Sequence, residues 1–386
     1  DHFHVLGRPH RKVDGLAKAT GAAVYTDDIA LPGMLHAKTL RSPHAHARIV
    51  RIDASKALAL PGVHAVITGA DLPIKYGVIP WTPDENALAL DRVRFIGDEV
   101  AAVAALDEDT ANAALKLIEV EYEPLKAFFD PREALTTHEP AIHSAKDGKG
   151  NISKHVRLDF GDVDAAAAKS DVVVEGDYRF HGTTHAAIEP HCAVAQYSAD
   201  GVLTVWSATQ ITHYVHRALA RVLELPAHRI RVIQPCLGGA FGGKSDPFSL
   251  EFCVAKLALL TGRPVKMLWT REEVFYAHRG RHPMQMHYRT SATKDGRITG
   301  VDASILIDGG SYSSFGLVTT YYSGQLLTGP YDFPNYRFDS TRVFTNKPPC
   351  GPKRGHGSVQ PRFAFEVQLD EVAEKLALDP IEIRRR

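Results

Sequence analysis

Short apolar runs of two kinds alternate through the first third of the chain. Runs rich in β-branched residues, such as ARIVRID and GVHAVITG, alternate with alanine-rich runs such as ASKALAL and DEDTANAALKLI, from about Arg48 to Leu125. Alternating strand and helix signals of this kind are typical of a mixed α/β domain. The pattern therefore predicts such a domain over residues 1–135.

The pattern changes after the polar segment 136–155, whose Gly, Lys, His and Ser residues are typical of a linker. Strand signals such as DVVVEGDYRF, GVLTVWSATQ and ITGVDASILID follow, mixed with helix signals in THYVHRALARVLEL and DPFSLEFCVAKLALLTG. Near the end, DEVAEKLALD predicts an amphipathic helix, and Asp379-Pro380 predicts the start of another. Residues 156–386 are therefore expected to form a second domain of the α+β class.

Charge and cysteine content exclude several classes of protein. Lys plus Arg and Asp plus Glu each number 45, so no net field favours nucleic acid or an anionic membrane. The 4 cysteines are scattered without a C-x-x-C pair, which is typical of a reducing cytoplasm. Apolar runs such as FCVAKLALL are shorter than the roughly 18–20 residues of a membrane-spanning helix. We expect a cytoplasmic protein with no membrane span and no nucleic-acid partner.

The stretch LGGAFGGKS, residues 237–245, matches the G-x-x-x-x-G-K-S pattern of a triphosphate-binding loop. A strand signal precedes it, a helix is expected to start near Ser245, and Asp308 at the end of SILID resembles a magnesium ligand. Against nucleotide binding, Phe241 is bulky and Pro247 removes an amide from the first turn of that helix. Two alternatives stay open: a turn that only caps the helix, and a loop whose amides bind another oxygen-rich anion.

Two histidine clusters are weaker candidates for a metal site. In HAAIEPH, His185, Glu189 and His191 have suggestive spacing, but the proline after Glu189 argues against a helix, so we expect hydrogen-bonded structural roles. In SPHAHARI, His44 and His46 share one face of a possible strand, yet two imidazoles alone do not make a zinc site.

Arg354 lies in PPCGPKRGHG, just before a helix expected to start near Pro361. This segment is too rich in Pro and Gly for a helix or a central strand. A guanidinium in such a rigid loop suits an oxyanion, although an ordinary loop arginine remains the alternative.

Five segments taken together are more specific than any one of them. In chain order they are VDGLAKATGAAVYTDDI, LRSPHAHARI, SATQ, LGGAFGGKSDP and PCGPKRGHG. Over essentially its whole length the chain resembles the large molybdenum-binding subunit of the xanthine oxidase family of molybdenum hydroxylases. Within that family, PCGPKRGHG and FYAHRGRHP are most similar to the 4-hydroxybenzoyl-CoA reductase alpha subunit. The resemblance implies an α/β hammerhead-like domain at 1–135 and the first part of a molybdopterin-binding α+β region at 156–386.

The resemblance also implies roles for individual residues. The cofactor would be bound by Gln210, Gly239, Ala240, Phe241, Gly242 and Arg354, of which Gln210, Phe241 and Arg354 would surround the molybdenum. The substrate would be contacted by Ser245, Tyr322 and His356. Lys244 would then be a structural residue.

The implied reaction hydroxylates an aromatic substrate or, in the reductase subgroup, removes a ring hydroxyl reductively. The implied cofactors are molybdenum–molybdopterin, in the cytosine dinucleotide form, with [2Fe-2S] clusters and FAD on partner subunits. Purine-oxidising members carry Glu where Ser245 stands and Arg where Tyr322 aligns, so an aromatic or CoA-thioester substrate is favoured over xanthine. The alternatives are a xanthine, purine or aldehyde dehydrogenase of the same family, a P-loop nucleotidase, and a non-catalytic assembly module.

Subunits of this family are much longer than this chain, and their second half supplies most pterin contacts and the catalytic general-base glutamate. The chain contains no match to that base. We therefore expect no catalytic residue here, a C-terminal half of the molybdenum subunit as partner, iron–sulfur and FAD subunits, and a dimer of heteromers.

Overall fold

Three β-sheets organise the residues that the computed structural model describes, which are 3–137, 139–143, 150–277 and 279–386. The strands are β1 (Leu35–Arg41), β2 (Ala47–Asp53), β3 (Val63–Thr68), β4 (Arg92–Val93), β5 (Glu99–Ala105), β6 (Glu119–Pro124), β7 (Ile152–Phe160), β8 (Val172–Phe180), β9 (Cys192–Tyr197), β10 (Leu203–Ser207), β11 (Ile230–Ile233), β12 (Val265–Leu268), β13 (Met284–Ala292), β14 (Ile298–Asp308) and β15 (Tyr336–Val343). The helices are α1 (Gly15–Ala19), α2 (Ser55–Leu58), α3 (Glu108–Leu115), α4 (Pro131–Thr136), α5 (Val163–Lys169), α6 (Thr212–Val222), α7 (Ser249–Thr261), α8 (Arg271–Ala277), α9 (Gly316–Gln325), α10 (Val359–Lys375) and α11 (Pro380–Arg385). The predicted mixture of strands and helices is confirmed.

One seven-stranded sheet joins the two predicted domains. Its order is β11-β10-β9-β12-β1-β5-β3, so strands from both sides of residue 135 lie in it. The junction is the parallel pair β1–β12, in which Leu35 faces Val265. The predicted segments 1–135, 136–155 and 156–386 are therefore divisions of the sequence, and strands from the first and the last of them form one sheet. Of the segment expected to be a linker, residues 138 and 144–149 lie outside the described residues, and β7 already begins at Ile152.

Helix α7 fills the core against the seven-stranded sheet. Most of its first ten residues are buried, including Glu251, whose carboxylate accepts the backbone N–H of Phe248 at 2.8 Å and caps the helix. An α-helix that is apolar on nearly all sides belongs inside a protein. The helix ends at Gly262, where φ is 63° and glycine is favoured.

The five-stranded sheet has the order β7-β15-β14-β13-β8 and packs one face on α10. Met284, Met286 and Tyr288 of β13 point into this core with Phe365 of α10, whereas the residues between them point outward. The strand β13 was not predicted, although its alternating burial is visible in MQMHYRTSA. The segment DEVAEKLALD forms the end of α10, and Asp379 caps α11, as predicted.

A third, small sheet has the order β4-β2-β6 and belongs to the N-terminal part of the chain. Among the helices of the described residues, none is long and apolar enough to cross a membrane.

Burial on α7 predicts a difference between two leucines. Leu257 is 0% exposed and Leu260 is 55% exposed. Leu257→Ala should lower the free energy of unfolding by about 2–5 kcal/mol because it leaves a cavity in the core. Leu260→Ala, the control on the same helix, should change it by less than about 0.5 kcal/mol. Chemical denaturation of both variants measures this, and equal losses would contradict the packing described.

Candidate functional site

The loop 238–245 follows β11 and is held in an unusual backbone conformation. Gly239, Phe241 and Gly242 have φ of 98°, 53° and 97°. A Cβ at Gly242 would lie 2.7 Å from the carbonyl oxygen of Pro352, so only glycine permits this close approach of two backbones. Phe241 adopts the left-handed region without being glycine, and strain of this kind is concentrated at functional sites.

Three consecutive amides of this loop are available to bind a ligand. The Gly242 N–H donates to Oε1 of Gln210 at 3.1 Å, and the Gly243 N–H donates to the Ala240 carbonyl at 2.8 Å. The N–H groups of Gly239, Ala240 and Phe241 have no acceptor among the residues that the structure describes. Successive free amides form a concavity that binds oxygen-rich anions.

Gln210 is oriented by its neighbours. Its backbone N–H donates to the Lys244 carbonyl at 2.9 Å, and its Oε1 also accepts from the Ser245 hydroxyl at 3.0 Å. Because Gly242 N–H is a donor, the oxygen of the carboxamide must face the loop. The Nε2 amino group is therefore left to donate elsewhere.

Arg354 lies against the same loop. Its backbone N–H donates to the Phe241 carbonyl at 2.9 Å, and its guanidinium carbon lies 5.3 Å from the centre of the Phe241 ring. In the described part of the chain, no carboxylate forms an ion pair with it. The amides, Gln210 and Arg354 thus present donors and no acidic group, and this donor set fits an anionic cofactor with oxygen ligands.

The three residues expected to contact the substrate lie in two places. Ser245 adjoins Gln210, whereas Tyr322 of α9 and His356 form an edge-to-face ring pair with centroids 6.1 Å apart. The His356 ring also shares a hydrogen bond with Thr319, and burial lowers its pKa to about 4, so the imidazole is neutral at pH 7. Phe315, with its ring 6.2 Å from His356, was missed because a single aromatic residue before a helix carries no local signal.

The Lys244 side chain is buried and paired with a carboxylate. It is 1% exposed, and its Nζ lies 2.7 Å from Oε2 of Glu189, which also accepts the Gly238 N–H at 2.8 Å. Burial is the largest influence on its pKa, which is lowered. The ion pair therefore fastens both ends of the loop to one carboxylate, in agreement with a structural role for Lys244.

The geometry does not support a triphosphate loop. The helix expected to start near Ser245 begins only at Ser249, and the residues around Pro247 are not helical. The glycine amides therefore do not lie at a helix N-terminus, where a triphosphate would bind. Asp308, the possible magnesium ligand, instead lies 2.7 Å from Nζ of Lys347.

The histidine clusters have structural contacts. His185 Nε2 lies 2.7 Å from the Pro352 carbonyl, and His191 Nε2 lies 3.2 Å from the Gly243 carbonyl. His44 and His46 lie in the loop between β1 and β2, so the expectation that they share a strand face was wrong; His46 Nδ1 contacts the Lys126 carbonyl at 2.7 Å. Among the described residues, no three His, Cys, Asp or Glu side chains could hold a metal ion.

A buried ion network lies behind the site. Arg279 is 4% exposed and pairs with Glu85 and, at 2.8 Å, with Asp246, which also accepts the Ser314 hydroxyl at 2.5 Å. Asp246 directly follows Ser245, and Ser314 directly precedes Phe315. The network therefore fixes the backbone next to Ser245 and next to Phe315. Arg279 lies in the motif FYAHRGRHP, of which residue 278 lies outside the described residues.

Two family models match this chain. The molybdopterin cofactor-binding domain matches residues 143–386, and the a/b hammerhead domain of aldehyde oxidase and xanthine dehydrogenase matches residues 20–126. The predicted order, a hammerhead-like domain followed by a molybdopterin-binding region, is thereby confirmed.

Two curated relatives and one solved structure share this similarity. The nicotinate dehydrogenase large molybdopterin subunit of Eubacterium barkeri is 42% identical over 99% of this chain and 89% of that protein. The xanthine dehydrogenase molybdenum-binding subunit of Escherichia coli is 36% identical over 97% of this chain and 51% of that protein. The crystal structure of quinoline 2-oxidoreductase from Pseudomonas putida 86 superposes with a TM-score of 0.91 at 33% identity, over 97% of this chain and 49% of that one. The chain thus spans about half the length of the last two.

The buried pair behind the loop predicts a non-additive effect on stability. Lys244→Met leaves the Glu189 carboxylate buried without its cation, which should lower the free energy of unfolding by roughly 3–5 kcal/mol. Adding Glu189→Gln removes the unpaired charge and should restore part of the loss. Denaturant unfolding of the single and double variants measures this. Additive losses would show that the pair is not coupled.

The lowered pKa of His356 predicts a pH dependence of stability. The unfolded chain takes up a proton near pH 6.5 but the folded protein only near pH 4, so stability falls as pH drops through this interval. His356→Gln should flatten that fall, whereas His213→Gln, at an exposed histidine of α6, should not. Unfolding curves from pH 7 to pH 4 measure the difference, and parallel curves for wild type and His356→Gln would contradict the burial of a neutral imidazole.

Proposed function

Because the chain belongs to the molybdopterin-binding family of aldehyde oxidases and xanthine dehydrogenases, we propose that it forms the molybdenum side of an oxidoreductase that hydroxylates an electron-poor aromatic ring. The observation that carries this proposal is the donor-only cradle of three free amides, Gly239, Ala240 and Phe241, beside Gln210 and Arg354. The names of the two curated relatives, a molybdopterin subunit and a molybdenum-binding subunit of dehydrogenases, support it.

Each residue of the cradle has a distinct part in this proposal. Molybdopterin with its molybdenum, when bound, supplies two-electron redox chemistry at the carbon that is hydroxylated. The amides of residues 239–241 would donate to its oxygen atoms, Gln210 would donate through Nε2, and Arg354 would neutralise its negative charge. The Phe241 ring, 5.3 Å from the guanidinium carbon of Arg354, would hold that cation beside the loop.

The substrate side favours a flat ring. Tyr322, His356 and Phe315 form an aromatic wall, and the imidazole is neutral, so the wall offers stacking and single hydrogen bonds and no charge. Ser245 adds a hydroxyl where purine-oxidising members have a carboxylate. The names of two similar proteins, nicotinate dehydrogenase and quinoline 2-oxidoreductase, support a nitrogen heteroaromatic substrate over xanthine or an aldehyde.

The reverse reaction on 4-hydroxybenzoyl-CoA is a second candidate. It is favoured by the contact between Tyr322 and His356, because a phenol and a hydrogen-bonded imidazole near a ring oxygen are suited to deliver a proton to it. The two candidate reactions move electrons in opposite directions. Ring hydroxylation would reduce an added redox dye, whereas dehydroxylation would oxidise a dye that is supplied in its reduced form.

The proposed enzyme has parts that residues 1–386 do not supply. The general-base glutamate and further pterin contacts would come from a C-terminal half of the molybdenum subunit, and the [2Fe-2S] clusters and FAD from partner subunits. The pterin would be the cytosine dinucleotide form, and the assembly a cytoplasmic dimer of heteromers. The proposed division of this chain stays 1–135, 136–155 and 156–386. The fact that the chain spans about half the length of two similar proteins supports this arrangement.

A glycine substitution tests cofactor binding directly. At Gly239, a Cβ would lie 3.3 Å from the Phe241 ring, within the cradle, whereas at Gly262 nothing lies within 4 Å. Both glycines have positive φ, so both alanine variants carry backbone strain. Gly239→Ala should lower molybdenum per chain by about tenfold, equivalent to roughly 1.4 kcal/mol of binding free energy, and Gly262→Ala should leave it unchanged.

The measurement is elemental analysis of the purified assembly together with detection of the released pterin. A wild-type assembly with its other cofactors in place but without molybdenum would refute the proposed function. Equal molybdenum contents in the two glycine variants would refute the role of this loop.

A further inference from the structure

Arg281 is a buried cation without a carboxylate partner. Its side chain is 7% exposed, and its guanidinium donates to the carbonyl of Arg354 at 2.6 Å, to that of Gly355 at 3.3 Å and to Oε1 of Gln360 at 3.3 Å. Within the described ranges, no Asp or Glu forms an ion pair with it. Burial lowers its pKa, which shows that the charge is held at a cost.

The N-terminus of helix α10, next to Arg281, does not favour a positive charge either. Gln360 lies in the first turn of α10, where unpaired N–H groups carry partial positive charge and favour an anion. Two of the three contacts are instead with backbone carbonyls of residues 354 and 355. Gly355 and Gly357, which flank His356, have φ of 76° and 77°, and glycines impose little conformational preference of their own. The conformation of this segment therefore depends on its contacts with other parts of the chain, among them those of Arg281.

The backbone on either side of Arg281 is itself fixed. The Gly351 N–H donates to the Gly280 carbonyl at 2.9 Å, which ties this segment to the loop that leads to Arg354. The His282 ring is stacked on the His356 ring, with centroids 6.2 Å apart and planes within 14°. Nε2 of Gln360 donates to the His282 carbonyl at 3.0 Å. The backbone that carries the Arg281 guanidinium is thus held in place by these contacts.

From these contacts we propose that Arg281 is a positioning residue that holds residues 354–356 against the cofactor loop and the substrate wall. By fixing two successive carbonyls, it keeps the Arg354 guanidinium over Phe241 and the His356 ring against Tyr322. The inference rests on the proposed function. Arg279, two residues earlier, differs because it is neutralised by two carboxylates.

The test replaces Arg281 with lysine, which keeps the charge but lacks the rigid fork that contacts three oxygens. Arg263→Lys is the matched control, because Arg263 donates to the Gly33 carbonyl at 2.7 Å and contacts no residue of the site. In Arg281→Lys, amide hydrogen exchange of residues 352–358 should accelerate by about tenfold, with exchange in α7 unchanged. In Arg263→Lys, exchange of residues 352–358 should match wild type.

Spectroscopy and kinetics of the holoenzyme give the second readout. The Mo(V) electron paramagnetic resonance signal of Arg281→Lys should change shape at unchanged molybdenum content, and kcat should fall by about 10- to 100-fold with a smaller change in KM. Should Arg281→Lys fail to fold, Gln360→Glu, which keeps an acceptor for Arg281 but replaces the Nε2 donor to the His282 carbonyl, should leave exchange of these residues unchanged, whereas Gln360→Met, which removes both groups, should accelerate it by less than the tenfold expected for Arg281→Lys.

Unchanged exchange of residues 352–358 in the folded variant, or in Gln360→Met where the lysine variant does not fold, would overturn the proposal. An unaltered Mo(V) signal and kcat would do the same. A wild-type assembly without molybdenum would refute the proposed function instead, and hydrogen exchange would still decide whether Arg281 holds this segment.

Discussion

Most of the site depends on the buried charge of Arg279. The guanidinium joins Glu85, from the N-terminal part of the chain, to Asp246 beside the glycine loop, and Asp246 joins Ser314 before α9. Burying an ionic group costs free energy unless it is paired and hydrogen-bonded. Losing Arg279 would leave two buried carboxylates without their cation, so this one side chain holds the three chain segments together. The site is therefore built across both predicted domains, as is the seven-stranded sheet that crosses residue 135.

Close backbone contacts form the second constraint on the site. The loop 238–245 approaches Glu189, His185 and Pro352 so closely that side chains at its glycines would collide with them. Lys244 lies inside this packed region and pairs with Glu189, whereas the amides of residues 239–241 have no acceptor among the described residues. The loop therefore differs from a triphosphate loop although its sequence matches the pattern, because its lysine is buried against a carboxylate.

The two arginines of FYAHRGRHP act on different walls of the same site. Arg279 is neutralised by carboxylates and stabilises the walls that carry Ser245 and Phe315, whereas Arg281 meets only neutral oxygens beside Arg354. The first arrangement pairs its buried charge with carboxylates, whereas the second keeps a buried charge without a carboxylate partner. A costly arrangement of this kind is expected where geometry matters for function.

Local sequence determined much of this protein. The periodicity of ARIVRID, GVHAVITG and DEDTANAALKLI predicted β2, β3 and α3 because a strand or helix depends mainly on residues close in the chain. The glycine loop, Gln210 and Arg354 were also visible, as five segments that together resemble one family. Tertiary structure alone decided the partners: Lys244 with Glu189, Arg279 with Glu85, and Arg281 with the Arg354 carbonyl are 55, 194 and 73 residues apart. No local pattern encodes such pairs, since each forms only after the sheets bring distant segments into contact.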